Sequence, residues 1–474
     1  MNARAVVVSL VYLLSAVLFI VGLMRLSKVR TARRGNALAA LGMGLAVIGT
    51  LVELGFVDYR WIAGGLVVGA VAGAIAAERV KMTGMPELVA LFNGFGGAAS
   101  ALVALSVYWT EAAGPQARGV QTVALGSAQA VTVGVSVLIG ALTFSGSLVA
   151  FGKLSGAISG RPLAFRGVHA LAAVLLAGAV GAIAWFSAAA GAPGLGAPLL
   201  LGLAAGALVL GVLLVIPIGG ADMPVVVSLL NSYSGLAAAA AGFVIGNLLL
   251  IIAGALVGAA GLILTRIMCR AMNRSLPSVI LGGFGGEVAA PTGAEEYQNV
   301  RSATAEEAAL VLEAAGSVVI VPGYGLAVSQ AQHATKELGE LLAACGAQVR
   351  YAIHPVAGRM PGHMNVLLAE AEVPYEALVE MDAINPDLKD TDVALVLGAN
   401  DVVNPAAENR KDSPIFGMPI VQVYRARTVF VVKRSLGSGY AGVKNELFEA
   451  PNTMMIFGDA KQVLQALVGE LKHG

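Results

Sequence analysis

Nine runs of about twenty mostly apolar residues leave few architectures open to this chain; they lie at approximately 5–23, 36–54, 61–77, 86–108, 125–150, 168–187, 198–217, 223–245 and 247–268. A hydrocarbon core of about 30 Å takes about 20 helical residues, and lipid accepts only helices or closed barrels because unpaired backbone groups are too costly there. The sequence therefore predicts a bundle of nine transmembrane helices. A chain that is 57% hydrophobic and 12% charged, against about 25% charged in an ordinary soluble domain, fits that reading. Arg25, Lys28, Arg30, Arg33 and Arg34 follow the first run, which is a stop-transfer pattern and not a cleaved secretory signal.

Basic residues sort the ends of these runs into two sets. After runs one, three, five and nine lie Arg25 to Arg34, Arg79 with Lys81, Lys153 with Arg161 and Arg166, and Arg266 with Arg270 and Arg274. The opposite ends hold little beyond Arg4, Arg60 and Arg118. Cytoplasmic loops carry the excess of Lys and Arg, so the N-terminus is expected outside and the C-terminal part in the cytoplasm. From about Glu287 the composition turns soluble. We expect a membrane domain at 1–272, a linker at 273–286 and one soluble domain at 287–474. Cys269 and Cys345 fall in different halves and supply no disulfide framework. A net charge of +1 says nothing about nucleic acid, but the soluble half has no basic run interleaved with aromatics, so nucleic-acid binding is set aside; no metal or flavin motif is found.

Polar groups at membrane depth are costly and usually face the bundle interior or a water path. The fourth run carries Glu87 and Asn93, and the fifth carries Thr143, Ser145 and Ser147. The eighth opens with Asp222 and holds Asn231, Ser232, Tyr233 and Ser234. For the amides two readings stand, interhelical hydrogen bonding and a water path. His169 sits near a helix end beside Arg166, where an interfacial role is favoured over a proton relay. If protons cross, water carries them past Asn93 and Asn231, or a partner subunit supplies the titrating group. Gly254, Gly258 and Gly261 share a face of the ninth run, which suits close packing or sliding.

After Ala314, short β-rich runs at 317–321, 349–353, 393–397, 421–424, 429–432 and 454–457 alternate with helical stretches, one of them at 326–345. That alternation predicts an α/β, Rossmann-like doubly wound parallel sheet. The first strand leads into Pro322-Gly323-Tyr324-Gly325-Leu326-Ala327-Val328, which has two glycines of the dinucleotide fingerprint and Val328 in place of the third. Glycine there permits a tight turn and close approach to a pyrophosphate, favoured by the following helix N-terminus. A carboxylate normally follows the second strand of an NAD site; here Ile353 is followed by His354, Pro355 and Val356, which leaves room for a 2′-phosphate. Lys433 and Arg434 are candidates to bind that phosphate, the alternative being a solvated strand end.

Five long segments carry a resemblance. HPVAGRMPGHMNVLLAEAEVPY from His354, GANDVVNPAA from Gly398, KRSLGSGYAG from Lys433, PELVALFNGFGGAASALVAL from Pro86 and LLNSYSGLAAAAAGF from Leu229 closely resemble the beta subunits of proton-translocating NAD(P) transhydrogenases. The similarity runs over nearly the whole chain. It implies hydride transfer between NADH and NADP+ coupled to inward proton movement, with NADP(H) on this chain. No second dinucleotide fingerprint occurs, so NAD(H) is expected on an alpha partner, in a dimer of alpha–beta units in a bacterial inner membrane.

By motif, the resemblance implies NADP(H) contacts from Gly323, Tyr324, Gly325 and Val328, and from Val356, Ala357, Gly358, Arg359, Met360 and Pro361. It adds Gly398, Ala399, Asn400, Asp401 and Val402, with Gly417 and Met418. Lys433 and Arg434 would take the 2′-phosphate, Ser435, Gly437, Gly439 and Tyr440 would cover the nucleotide, and Asp459 and Ala460 would close the far edge. Asp401, Asn93, Ser147, Asp222, Asn231 and Gly261 fall at positions that the family associates with coupling or proton passage. Many members have histidine where this chain has Asn93, so a titrating histidine is expected from a partner's helix. The rival function is an ion transporter or channel regulated by NADP(H) without hydride chemistry. A membrane-anchored NADPH reductase lacks a recognisable substrate or flavin site.

Overall fold

Each apolar run closes its own backbone hydrogen bonds as a helix, as lipid requires of an open chain. The computed structural model describes residues 3–26, 29–54, 59–80, 82–113, 125–160, 162–163, 165–188, 196–281, 297–360, 362–413, 415–439 and 441–473. These form two units, one drawn from Met1–Thr265 with Ile280–Gly282, the other from Arg266–Val279 with Gly283–Gly474.

Among the described residues, nine helices are long and apolar enough to cross a membrane. They are α1 (Ala3–Leu26), α2 (Val29–Leu54), α3 (Tyr59–Arg79), α4 (Met85–Tyr108), α5 (Ser127–Leu154), α6 (Val168–Ala188), α7 (Gly196–Val215), α8 (Met223–Ile245) and α9 (Leu248–Ala271). Pro86 and Pro224 sit in the first turns of α4 and α8, where a missing N–H costs no helical bond. Small residues let the backbones touch. A Cβ on Gly140 of α5 would lie 2.5 Å from the Gly97 carbonyl oxygen of α4. One on Gly254 of α9 would lie 2.4 Å from the Ala239 nitrogen of α8, and one on Gly235 would lie 2.5 Å from the Gly258 nitrogen. The glycine face of α9 is thus a packing surface against α8.

The second unit is built on a six-stranded, all-parallel sheet in the order β3-β2-β1-β4-β5-β6. Its strands are β1 (Ser317–Pro322), β2 (Gln348–Ile353), β3 (Leu378–Glu380), β4 (Val393–Leu397), β5 (Thr428–Lys433) and β6 (Thr453–Phe457). The central strands are runs of Val, Ile, Leu and Ala buried on both faces, as parallel sheets require. Helix α10 (Leu276–Ile280) precedes the sheet in sequence, as does α11 (Ala305–Glu313). α11 starts at a capping box in which the Thr304 hydroxyl accepts from Glu307 N–H and the Glu307 carboxylate accepts from Thr304 N–H.

Three local expectations are corrected. The segment Val421 to Tyr424 is no strand: Val421 N–H bonds the Val402 carbonyl, the chain then turns at Val423–Arg425, and β5 takes the place beside β4. Its apolar character reflects burial beneath the sheet. β3 went unread because it has only three residues, none of them fully buried. The helix expected over 326–345 is two, α12 (Tyr324–Val328) and α13 (Gln332–Ala344), separated where Gln330 takes φ 50°.

Candidate functional site

Strand order reverses between β1 and β4, so the loops leaving their carboxyl ends diverge and open a crevice there. The two loops first cross in contact. Gly323 N–H donates to the Leu397 carbonyl (2.8 Å) and Gly325 N–H to that of Gly398 (2.9 Å). A Cβ on Gly323 would lie 2.5 Å from Ala399, and one on Gly325 2.7 Å from the Gly398 Cα. Gly398 itself has φ +65°, a conformation that suits glycine. The fingerprint glycines therefore fit one loop against the other, and their N–H groups are engaged by the β4 loop. Asn400, Asp401 and Val402 continue from this crossing, and Val328 closes the short α12.

The loop after β2 is pinned by two histidines. His354 is buried, accepts from Val356 N–H at Nδ1 (3.2 Å), and places Nε2 2.8 Å from the Pro419 carbonyl oxygen. That pattern fixes the neutral tautomer with the proton on Nε2. Burial lowers its pKa from 6.5 to about 4, although the Pro419 hydrogen bond and the Asp382 charge oppose the fall. His363, also buried, accepts from Arg359 N–H at Nδ1 (3.1 Å), and the Arg359 guanidinium lies 4.5 Å above the Tyr324 ring. Val356, Ala357, Gly358 and Met360 form the rest of this loop. Through Pro419 it is joined to the loop bearing Gly417, whose N–H donates to the Ala407 carbonyl, and Met418.

At the end of β5, Lys433 is half-buried, with its ammonium on the Gly437 carbonyl and 5.0 Å from the Phe448 ring centroid. Burial lowers its pKa, with the charge of Asp401 opposing. Arg434 and Ser435 are exposed beside it. The described residues of the following loop fold back on the β4 loop: Ala441 N–H donates to the Asp401 carboxylate (3.1 Å), and a Cβ on Gly439 would lie 2.3 Å from it. Asp459 accepts from Lys461 N–H at the start of α14 (Ala460–His473), just beyond β6, and Ala460 is buried. Loops from β1, β2, β4, β5 and β6 thus bring the expected residues to the carboxyl edge of one sheet. Pro361 and Tyr440 lie outside the described residues. Sequence reading passed over the pinning roles of His354 and His363 and the buried Asn404 and Asn445, because their partners are remote in sequence or main-chain groups.

Within the membrane unit, Asn93 is buried and donates to the Val227 carbonyl of α8 (3.2 Å). The fully buried Ser147 packs against Gly94, and its hydroxyl has no hydrogen-bond partner among the described residues. Asn231, half-buried, lies one turn beyond Val227. On the α9 side, Ser232 donates to the Gly258 carbonyl (2.7 Å) and Ser228 to that of Gly261 (3.3 Å), while Thr265 donates to the Ser228 hydroxyl (3.1 Å). A Cβ on Gly261 would lie 2.8 Å from the Ser232 nitrogen. Buried Asp222 stands at the entrance to α8. Asn231 thus lies on helix α8 and Asp222 precedes its first turn, Asn93 and Gly261 touch that helix from α4 and α9, and Ser147 packs on Gly94 of α4.

A multi-span membrane protein carrying a Rossmann-like domain is the class that this fold and its loop cluster define. The family model for the NAD(P) transhydrogenase beta subunit matches residues 8–470. Two relatives named NAD(P) transhydrogenase subunit beta, from Rhodospirillum rubrum and from a specified strain of it, are each 50% identical over 460 residues, covering 96% of this chain and 97% of the relative. The chain belongs to the NAD(P) transhydrogenase beta subunit family.

Proposed function

We propose that this chain is the NADP(H)-binding, proton-translocating subunit of a nicotinamide nucleotide transhydrogenase. In this reading it couples hydride transfer from NADH to NADP+ to inward movement of protons. The observation that carries it is the meeting of the β1 and β4 loops at the strand-order reversal, with Lys433 and Arg434 beside them and no carboxylate at the end of β2. Two adjacent cations suit a 2′-phosphate better than a ribose hydroxyl. Gly323, Tyr324, Gly325 and Val328, Val356 to Pro361, Gly398 to Val402, Gly417 with Met418, Ser435, Gly437, Gly439 and Tyr440, and Asp459 with Ala460 complete the assigned contacts. When bound, the nicotinamide supplies the hydride chemistry; the residues here hold and orient it.

An alpha partner supplies NAD(H), in a dimer of alpha–beta units in a bacterial inner membrane. The N-terminus lies outside and the C-terminal domain in the cytoplasm. The membrane domain spans 1–272, the linker 273–286 and the nucleotide domain 287–474. Asn93, Ser147, Asn231, Asp222 and Gly261 line or support the proton path, and Asp401 links it to nucleotide binding. The experiment is to place this chain and its alpha partner in vesicles with NADPH and an acetyl-pyridine analogue of NAD. Analogue reduction with matching proton movement is expected. Proton movement that responds to NADPH without reduction would instead mark a nucleotide-regulated channel.

A further inference from the structure

Tyr297 stands where the chain, coming in sequence from the membrane helices, joins the sheet domain. Its ring packs on Phe448 with centroids 5.8 Å apart, and the Lys444 ammonium lies 5.0 Å from its own centroid. Its hydroxyl accepts from Asn445 N–H (3.1 Å), and the next residue, Gln298, donates its N–H to Glu449 (2.7 Å). Glu449 in turn pairs with Lys444 (2.7 Å). The entering segment is therefore clasped to residues 444–449.

Asn445 is fully buried and reaches the other way. Its amide nitrogen donates to the main-chain carbonyl of Asn400 (3.1 Å), while its oxygen accepts from Leu447 N–H (3.0 Å). Buried Asn404 adds a second tie, from its amide to the Lys444 carbonyl (3.1 Å). Asn400 immediately precedes Asp401, whose carboxylate holds Ala441 N–H. One hydrogen-bonded line thus runs from Tyr297 through Asn445 to the loop after β4. Such buried amide links are costly to break singly, since each strands a polar group.

We propose that Tyr297 and Asn445 are positioning residues that tie the segment entering the sheet domain to the Asn400–Asp401 loop, so that displacement of this segment changes how tightly NADP(H) is held. The inference rests on the reading that this domain binds NADP(H). A differential grip needs a physical connection between the moving part and the binding loop, and this line supplies one.

The test uses the full chain with its alpha partner in vesicles, following release of bound NADPH by its fluorescence, with and without an imposed proton gradient. Y297F keeps the ring and removes only the hydroxyl; N445A removes the amide. Y297F should speed release about three- to tenfold, the equivalent of one net hydrogen bond. It should also shrink the response of release to the gradient. The double variant should release no faster than N445A alone, because both act through one line. Release by Y297F within about twofold of the unaltered protein, less than one net hydrogen bond, would overturn the proposal. So would an equal acceleration with and without the gradient, which marks mere loosening. If N445A does not assemble, the Y297F measurements decide alone. Failure of the unaltered protein to hold NADPH in preference to NADH would refute the NADP(H) reading itself, a result separate from a silent Y297F.

Discussion

Replacing Gly398 by alanine should open the nucleotide crevice at its base. At φ +65° an L-residue costs about 1–2 kcal/mol. The added Cβ would also lie 2.4 Å from the Gly325 Cα, with the Gly325 carbonyl carbon and nitrogen at 2.7 and 2.8 Å. These are backbone atoms, so no side-chain rotation relieves the overlap, and the crossed loops must separate at a cost of about 1–3 kcal/mol. Together the two effects come to about 2–5 kcal/mol, a large share of the about 5–15 kcal/mol that holds a typical domain folded. Gly325→Ala meets Gly398 at 2.7 Å without a positive φ, so it should cost only the overlap. Gly437→Ala is the control, since its nearest neighbour would be the Ser435 hydroxyl at 3.4 Å. Hydrogen exchange of the β1 and β4 peptides in the detergent-solubilised chain measures the opening free energy locally. The expected order of damage is Gly398, Gly325, Gly437. Agreement of Gly398→Ala with the control to within about 0.5 kcal/mol, the usual size of a neutral surface change, would refute the loop-crossing account.

His354 should make stability depend on acid. Its folded pKa is about 4 against 6.5 when free, so its contribution is complete above about pH 6.5 and is lost as pH falls toward 4, because the unfolded chain takes up the proton first. The loss should reach about 3 kcal/mol, and His354→Gln should flatten that part of the stability profile measured by hydrogen exchange. Lys433→Ala should weaken NADPH binding about tenfold to a hundredfold, as expected for a charge-assisted bond, and leave any NADH binding unchanged; equal NADPH affinity in a titration would remove the phosphate assignment. Asp401→Asn should quicken NADP(H) release and lower the number of protons moved per hydride, read from paired absorbance and pH traces. Thr304→Ala should destabilise α11 by about 1 kcal/mol through loss of the capping box, visible as faster exchange in that helix alone.

The membrane half was legible because its signal is length: twenty apolar residues in a row admit one solution in lipid. Strands β1, β2, β4, β5 and β6 were legible for a related reason, being short runs with β-branched or aromatic residues bounded by turns. Where the reading failed, local character and tertiary position disagreed. Val421 to Tyr424 has a strand's composition because it is buried, but β5 already occupies the strand position beside β4. The break at Gln330 contains neither glycine nor proline, so nothing in the sequence announced it. What the glycines of the β1 turn meet was not legible either: their N–H groups bond the end of β4 and its loop, a partner some seventy residues away whose position only the sheet order fixes. Asn445 and Tyr297 are further apart still, and neither belongs to a local pattern.

Energy sets the scale of any coupling between the two halves. A single charge falling through 100 mV yields about 2.3 kcal/mol, or about 3.5 kcal/mol at 150 mV. That equals only a few net hydrogen bonds at about 1 kcal/mol each. The loops around the crevice are held by ties of this size: His354 to Pro419, Asp401 to Ala441, Asn445 to Asn400 and Asn404 to Lys444. Under the proposed function, the proton therefore has no need to unfold the domain or rotate its sheet. Loss or gain of two or three such ties between the membrane helices' two protonation states would already match the work available. A ligand gripped by several loops that are each weakly tied can change affinity stepwise. A site cut into the rigid sheet itself would demand far more energy than one proton delivers.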